Sequence, residues 1–379
     1  MDQVVLQQCN SYDYDQVRVA ILQLLEPIGG IGAFVKPGER VLLKPNMLSV
    51  KSPDQAVTTH PVIVRVVAEL VREAGGLAMI GDSPGVGGFL KVAGKSGIAN
   101  AATQSGAELV EFKDSVELPG SGTFRRISLA RVYWEADKII NLPKLKTHEM
   151  MTMTCAVKNL FGAVVGAEKA GWHLKAGTSQ GQFARLLLEI YQLKKPVLNI
   201  VDAIVAMEGN GPGSGDPLQV GALLAGSNPV AVDLVAGRLA GIPPELLHVE
   251  REARLLGLAG TTWEEITISG ASLKSFPTKP FRLPTGLTVQ FGMPRFLNNL
   301  LKRHLTSFPA ADRERCVLCG ICRDACPPVA IEIKNSALSV DQGRCIRCWC
   351  CRELCPHDAM LVRRGRVLKI VSALIGRRG

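Results

Sequence analysis

The sequence lacks three features that would place it in a common class of protein. It has no run of 18 or more uncharged apolar residues, which argues against a membrane-spanning helix. Its first residues, MDQVVLQQCNSYDYD, do not follow the basic and then apolar pattern of a secretory signal. It contains no G-x-x-x-x-G-K-[ST] sequence, and Gly85 to Gly88 lacks the spacing of a dinucleotide-binding loop. We therefore expect a cytoplasmic protein with neither type of phosphate-binding loop.

Aromatic residues are also scarce, at 5% of the 379 residues. Lys and Arg exceed Asp and Glu by 44 to 34, a formal net charge of +10, and such an excess often serves nucleic-acid phosphates. Single-strand binders interleave basic residues with stacking rings, however, and no such stripe is present. We expect no nucleic-acid partner. The hydrophobic share of 47% is sufficient for the packed cores of two or three domains.

Residues 1–270 alternate short apolar runs with longer helical patterns, which predicts an α/β domain with a mostly parallel sheet. The predicted strands are 4–7, 40–43, 77–81, 108–112, 138–141, 197–201, 220–225 and 266–269. Helices are predicted over 61–74, 182–194 and 229–240 because their apolar residues recur on one helical face. Pro61 suits the first position of its helix, and Gly75 suits the stop.

The remaining chain divides into three segments. Residues 271–310 are predicted to form a proline-containing linker followed by a short amphipathic helix over 295–305. Residues 311–366 hold nine of the eleven cysteines and form a separate small domain. The tail, 367–379, is apolar and flanked by arginines. We expect it to dock on its own protein, with a weak peripheral membrane contact as the alternative, because ten apolar residues are too few to span a bilayer.

A repeated cysteine motif defines the small domain. The sequence C-x2-C-x2-C-x3-C-P occurs twice, with an offset of 29 residues. In proteins with two [4Fe-4S] clusters, the fourth cysteine of each such run ligates the other cluster. The expected ligands of cluster 1 are Cys316, Cys319, Cys322 and Cys355. The expected ligands of cluster 2 are Cys345, Cys348, Cys351 and Cys326.

Zinc is the main alternative for these cysteines, but it usually takes two separated C-x2-C pairs around one ion. Residues 311–366 instead resemble a bacterial-type ferredoxin domain of α+β class that holds two [4Fe-4S] clusters. The apolar runs that begin at Ala330 and Ala359 are predicted to pair as strands over the clusters. Cys350 is additional to both runs, and we interpret it as a small buried residue. Eight thiolates and two +2 cores lower the formal charge to about +6, which weakens the nucleic-acid interpretation further.

Polar residues of the α/β domain concentrate where predicted strands end, which is where ligands of open α/β sheets bind. Lysines beside glycine-rich turns predict a site for a phosphate or carboxylate. The candidate substrate-binding residues are Lys44, Asn46, Lys144, Lys158, Asn159 and Asp202. The candidate catalytic residues are His60, His148 and Lys146. Asp82 is a further candidate, for orienting cations. Each residue also has a purely structural alternative, such as capping of the helix at Pro61 by His60.

Several phrases of the first 270 residues occur together in one known family. They are KPN, TTHP, GDSPG, LPKLKTHEMMTMTCAVKNLFG, DAIVAMEGNGPGSGDP and SNPVAVDLVA. With the cysteine repeat, the chain resembles the iron-sulfur subset of the family called domain of unknown function 362. The resemblance implies a fold related to the N-terminal domain of the lactate racemase group. It implies no settled reaction, and no histidines map onto a nickel site.

Two functions are consistent with these features. In the first, the chain is an iron-sulfur oxidoreductase whose clusters pass single electrons between a redox partner protein and a small anionic substrate held by the α/β domain. In the second, the chain is an electron carrier, or an assembly factor for a cofactor or metal, that docks a partner enzyme without catalysis of its own. The sequence leaves open whether the chain is an enzyme, which substrate it takes and which way electrons flow.

Overall fold

The computed structural model describes residues 1–85, 87–166, 168–176, 179–276, 279–284 and 307–364. The predicted helix over 295–305 and the predicted tail over 367–379 lie outside the described residues. No helix among the described residues is long and apolar enough to cross a membrane.

The α/β part of the chain is built on a ten-stranded sheet. Its strands are β1 (Asp2–Gln8), β2 (Arg40–Pro45), β3 (Leu77–Asp82), β4 (Glu108–Glu111), β7 (Lys138–Leu142), β8 (Lys144–His148), β9 (Thr152–Thr154), β10 (Leu198–Glu208), β11 (Asp216–Gly226) and β12 (Ile266–Gly270). The order is β12-β1-β11-β10-β7-β2-β3-β4, and β8 pairs with both β10 and β9. Only β11 and β9 pair antiparallel with their neighbours in this sheet. The predicted α/β class with a mostly parallel sheet is confirmed.

Helices cover both faces of this sheet. The helices are α1 (Tyr14–Leu25), α2 (Pro61–Glu73), α3 (Phe89–Lys95), α4 (Ile98–Ser105), α5 (Arg131–Glu135), α6 (Ala156–Asn159), α7 (Glu168–Ala176), α8 (Gln180–Leu193), α9 (Pro229–Leu239) and α10 (His248–Leu255). A two-stranded hairpin, β5 (Ser115–Pro119) with β6 (Arg126–Ala130), lies outside the main sheet. Helices α1 to α4 pack on one face, whereas α8, α9 and α10 pack on the other.

Strand β2 shows why the sheet is covered on both sides. Val41 and Leu43 join the core beneath α1 to α4, while Leu42, between them, joins the core on the opposite face. All three side chains are fully buried, because successive residues of a strand point to opposite faces and both faces carry helices. A near-continuous apolar strand of this kind is typical of a parallel sheet.

The predicted strands and helices of residues 1–270 are confirmed, with differences at their ends. The strands predicted over 197–201 and 220–225 are much longer, Leu198–Glu208 and Asp216–Gly226, and pair antiparallel. The glycine-rich loop of residues 209–215 is therefore the turn of a long hairpin. The helix predicted over 61–74 runs over Pro61–Glu73, with His60 as its N-cap.

The small domain consists of two antiparallel strand pairs and two short helices. They are β13 (Ser307–Ala311), α11 (Ile321–Asp324), β14 (Ile331–Lys334), β15 (Ala337–Val340), α12 (Cys350–Glu353) and β16 (Met360–Arg364). The strands after Ala330 and Ala359 form, but the prediction that they pair with each other is wrong. Strand β14 pairs with β15 through a tight turn, and β16 pairs with β13. The pair of β13 and β16 begins at Ser307, before residue 311, where the small domain was predicted to start.

Candidate functional site

Strand β8 carries three of the predicted site residues on one face. Lys144, Lys146 and His148 alternate with Leu145 and Thr147, and side chains two residues apart in a strand point the same way. All three are almost fully buried, with exposures of 2%, 1% and 0%. Buried cations are costly without acceptors, so their partners decide what the site can bind.

Lys144 belongs to a group whose charge is already balanced. Its Nζ lies 2.7 Å from Oδ2 of Asp202 and 2.8 Å from the hydroxyl of Tyr12. Tyr12 also donates to Oδ1 of Asp202, at 2.7 Å, and its ring stacks on His60. Asp202 accepts the backbone N–H of His60 as well. Lys144 and Asp202, both predicted to bind substrate, therefore neutralise each other.

His60 is held as a neutral imidazole. Its Nδ1 accepts the backbone N–H of Val62, which is the capping role that the sequence offered as an alternative. Burial, opposed by Asp202, lowers the pKa of His60 to about 4. Near neutral pH this side chain is uncharged, with its one proton on Nε2.

Lys44 forms the second buried ion pair of the α/β domain. Its Nζ lies 2.9 Å from Oδ1 of Asp82, and Oδ2 of the same carboxylate accepts the backbone N–H of Met47. Gly162 passes directly over the pair, so closely that a Cβ at this position would overlap both charged groups. Gly162 is the last residue of the phrase LPKLKTHEMMTMTCAVKNLFG. A glycine is required there because the backbone passes so close to the ion pair, not because the backbone conformation itself needs glycine.

Lys146 is buried against neutral acceptors only. Its Nζ donates to Oδ1 of Asn46 at 2.9 Å and to the carbonyl of Val57 at 2.7 Å. Asn46 in turn donates to Oδ1 of Asn159, whose amide donates to Oδ1 of Asn141. Burial, followed by the nearby ammonium of Lys158, holds the pKa of Lys146 well below its usual range. Lys146 has no carboxylate partner among the described residues, so it is available to an anion.

A carboxylate from the small domain enters this cationic region. Oε1 of Glu353 lies 3.0 Å from Nε2 of His148, whose Nδ1 accepts the backbone N–H groups of Met150 and Met151. Nε2 therefore carries the imidazole proton. Burial opposes ionisation of Glu353, but His148 and Lys158 hold its pKa below the ordinary value. Burial also lowers the pKa of His148 to about 4, so the contact joins a carboxylate to a neutral imidazole.

Two further groups of the same region lack hydrogen-bond partners within the described ranges. The half-buried side chain of Lys158 makes no hydrogen bond within the described ranges. Burial lowers the pKa of Lys158, and Glu353 lies close enough to oppose that effect. Nδ1 of His173 is buried and has no acceptor or donor. Lys158, Lys146 and His173 thus present unused polar groups, with Glu353 as the nearby carboxylate. Such a site is suited to a small anion.

The structure separates the predicted site residues into two groups. The contacts above connect Asn46, Lys146, His148, Lys158 and Asn159, and the amide of Asn159 also donates to the backbone carbonyl of Lys44 at 3.1 Å. We call these six residues, with His173 and Glu353, the cation site. His60, Lys144 and Asp202 form the balanced group with Tyr12. Sequence reasoning missed Tyr12, His173 and Glu353. Of these three residues, only Glu353 stands out in the sequence, because it lies between Cys351 and Cys355. That position predicts a role near the clusters and not a contact with the α/β domain.

The eight motif cysteines line two separate cavities in the small domain. Cys316, Cys319, Cys322 and Cys355 line one, which we call cavity 1. Cys326, Cys345, Cys348 and Cys351 line the other, cavity 2. No three His, Cys, Asp or Glu side chains of the described residues lie close enough together to hold a single metal ion. Backbone N–H groups donate to sulfur at Cys326 and Cys355, both at 3.2 Å, as suits anionic thiolates. Four cysteines around an open space, with donors to their sulfurs, fit a cubane cluster.

Comparisons with known proteins agree with both halves of the chain. Residues 41–238 match the family described as domain of unknown function (DUF362), and residues 308–356 match the 4Fe-4S dicluster domain. The thylakoid-associated protein sll1697 of Synechocystis is 39% identical over 306 residues, which is 80% of this chain and 95% of that protein. This chain belongs to the DUF362 family. It is an iron-sulfur protein of that family with a ferredoxin-type domain.

One solved structure has a weak similarity to this DUF362 protein. The lactate racemase apoprotein from Thermoanaerobacterium thermosaccharolyticum is 9% identical, with a TM-score of 0.43. The match covers 63% of this chain, and the chain spans 57% of the length of that protein. At this level of similarity the comparison says nothing about the chemistry of the cation site.

The buried pair of Lys44 and Asp82 makes Gly162 a sensitive position. We expect Gly162→Ala to destabilise the protein by about 3 kcal/mol or more, because the added methyl group forces the two buried charges apart. Chemical denaturation of the full chain measures this. Gly171→Ala is the matched control, since a Cβ at that helical position meets no atom within 4 Å and is expected to be neutral or slightly stabilising. Equal stability of both variants would contradict the assignment.

The buried histidines predict a loss of stability in acid. Burial lowers the pKa of both His148 and His173 to about 4, below the ordinary value of 6.5. Between these values the unfolded chain binds protons that the folded chain does not. The contribution of each histidine to stability is therefore complete above pH 6.5 and declines as the pH falls towards 4, by about 1.4 kcal/mol per pH unit.

His173→Phe isolates one histidine of this pair. His173 stacks on Phe183 and contacts Phe161 edge-on, so a phenyl ring suits the space. We expect the variant to keep its stability at pH 7.5 and to lose less than the wild-type protein on going to pH 5.5, as measured by denaturation at each pH. An unchanged pH slope would show that His173 is already protonated or exposed.

Proposed function

We propose that this DUF362 protein transfers single electrons through two [4Fe-4S] clusters to or from a small anionic substrate bound at the cation site. The observation that supports the proposal is the position of Glu353. This residue follows Cys351 of the ferredoxin-type domain in sequence, yet its carboxylate reaches His148 and Lys158 of the α/β domain. The cluster-bearing segment and the cation site are therefore adjacent.

In this proposal the cluster ligands are those expected from the sequence. Cys316, Cys319, Cys322 and Cys355 hold cluster 1, and Cys345, Cys348, Cys351 and Cys326 hold cluster 2. When bound, each cluster supplies one-electron redox chemistry between its +2 and +1 core states. The grouping of these cysteines around cavities 1 and 2 supports the assignment. The same proposal divides the chain into the α/β domain over 1–270, the linker with its short helix over 271–310, the ferredoxin-type domain over 311–366 and the tail over 367–379.

The residues of the α/β domain bind and orient the substrate. Lys146 and Lys158 supply N–H donors for the anion, because they alone among the described lysines of the cation site lack a carboxylate in ion-pair contact. Asn46 and Asn159 fix the position of Lys146 through the amide network. His148 carries its proton on Nε2, which faces Glu353, so His148 positions that carboxylate beside the substrate. Burial of Lys146, His148 and Asn159 keeps water away from these side chains and strengthens their interactions.

A cellular location is part of the proposal. The chain works in the cytoplasm, in peripheral contact with a membrane surface. The name of the Synechocystis relative, a thylakoid-associated protein, supports such a contact. Sedimentation of the protein with membranes at low salt, and its release at high salt, are the expected results.

Substitution of Lys158 tests the anion site. We expect Lys158→Met to weaken the binding of inorganic phosphate to the full chain by about tenfold, because one charge-assisted hydrogen bond is lost. Calorimetry with the anaerobically purified protein measures the affinity. Lys91→Met is the matched control, since it removes the same charge from the exposed face of α3. Equal loss in both variants would reduce the effect to general electrostatics, and no phosphate binding by the wild-type protein would contradict the anion site.

A further inference from the structure

The two cysteine runs of the small domain share one backbone conformation. Residues 29 positions apart adopt the same left-handed geometry in each run. The matched φ angles are 55° at Leu318 and 56° at Arg347, 81° at Gly320 and 65° at Trp349, and 51° at Val329 and 49° at Asp358. Ala330 and Ala359 donate to the sulfurs of Cys326 and Cys355 over the same distance. The two halves are thus local copies of one backbone conformation, so their surroundings can be compared position by position.

The first copy faces away from the α/β domain. Cys319 is exposed, and Val317 beside it has 60% of its surface accessible. Val329 is also 60% accessible. Asp324, which corresponds to Glu353, pairs with its own neighbour Arg323 and remains in solvent. Each of these residues of the first copy contacts water or its own domain.

The second copy is packed against the α/β domain. Cys348, the counterpart of Cys319, is buried. Arg352 Nη1 lies 2.7 Å from Oε1 of the buried Glu149, and Asp358, the counterpart of Val329, contacts both Ser214 and Lys51. With the Glu353 contact to His148, four side chains of residues 349–358, including Trp349, reach the α/β domain.

Trp349 is the clearest difference between the copies. The first copy has Gly320 at this left-handed position, where a side chain is strained, yet the second copy carries a tryptophan. The indole is 2% exposed and belongs to the core on the α8 side of the sheet, which also contains Met150 and Met151 from the turn between β8 and β9. It also lines cavity 2. One side chain therefore connects the cluster cavity to the core of the α/β domain, and its burial offsets the strain.

The cation site begins at the other end of the same segment. Glu353, two residues after Cys351 of cavity 2, has its Oε1 3.0 Å from Nε2 of His148 in the cation site. Cavity 2, Glu353 and His148 are thus consecutive neighbours. Cavity 1 has no corresponding contact to the cation site among the described residues.

We propose that cluster 2 is the cluster that exchanges electrons with the substrate at the cation site, and that Trp349 fixes it there, while cluster 1 exchanges electrons with an external one-electron carrier. This inference rests on the proposed function. In the reductive direction the carrier would lose one electron to cluster 1, cluster 1 would pass it to cluster 2, and cluster 2, held by Cys345, Cys348, Cys351 and Cys326, would return to its oxidised state as the substrate gains that electron. Two such passages would supply the two electrons of a two-electron substrate. Trp349 is a positioning residue, since the electron resides on the clusters.

Trp349→Gly tests the inference, because it gives the second copy the residue that the first copy has. The full chain is purified anaerobically, and iron content verifies that both clusters are present. Electron paramagnetic resonance during a dithionite titration then gives the potential of each cluster, with and without inorganic phosphate. We expect one of the two potentials to shift and the phosphate-induced change in that signal to be lost. Trp349→Phe is expected to restore both, and Val317→Gly, beside cavity 1, is expected to leave the phosphate response intact.

A second measurement needs no variant. A soluble paramagnetic relaxer added to the wild-type protein is expected to broaden one cluster signal, that of the exposed cluster 1, and to leave unchanged the signal that responds to phosphate. Relaxation of both signals alike would overturn the inference, as would a phosphate response that survives in Trp349→Gly. If phosphate alters neither signal in the wild-type protein, the proposed function fails instead, whatever the relaxer shows.

Discussion

The burial of positive charge at the edge of the sheet is the constraint on which the structure depends. Lys44, Lys144 and Lys146 leave water almost completely, which costs several kcal/mol for each ion unless acceptors replace the lost hydration. Asp82 and Asp202 balance the first two. The geometry of Gly162, of Tyr12 and of the asparagine network follows from the need to surround these ion pairs without leaving polar atoms unsatisfied. The carboxylate of Glu353, from the ferredoxin-type domain, lies near Lys146 and Lys158 but forms no ion pair with Lys146.

This constraint also explains why the two domains are joined where they are. Glu353 and Arg352 are adjacent in sequence and contact a histidine and an acid that are close together in the β8–β9 hairpin. Burial, opposed by Arg352, raises the pKa of Glu149 to about 8, so Arg352 faces a carboxyl that exchanges its proton near neutral pH. The interface thus contains close polar contacts of Arg352 and Glu353 beside one aromatic anchor, Trp349.

Much of the fold could be predicted from sequence, because apolar periodicity reports which faces of an element are buried. Strand β2 and helix α2 are examples, and the cysteine spacing is sufficient to group eight residues into two sets. Sequence did not predict the partners. The strands after Ala330 and Ala359 have the apolar pattern expected of them, but pattern does not say which strand lies alongside. Tyr12 and His173 come from elements distant in sequence from β8, and no local pattern distinguishes them from core residues. Trp349 occupies a glycine position, which only the comparison of backbone angles makes evident.

The most direct test of the account is the metal content of the anaerobically purified full chain. Iron and acid-labile sulfide are to be measured together with zinc, per mole of protein. The account predicts about eight iron and eight sulfide for each chain, as two cubane clusters require, and no zinc. About one zinc without sulfide would contradict it, because a single tetrahedral ion leaves no electron carrier beside the cation site.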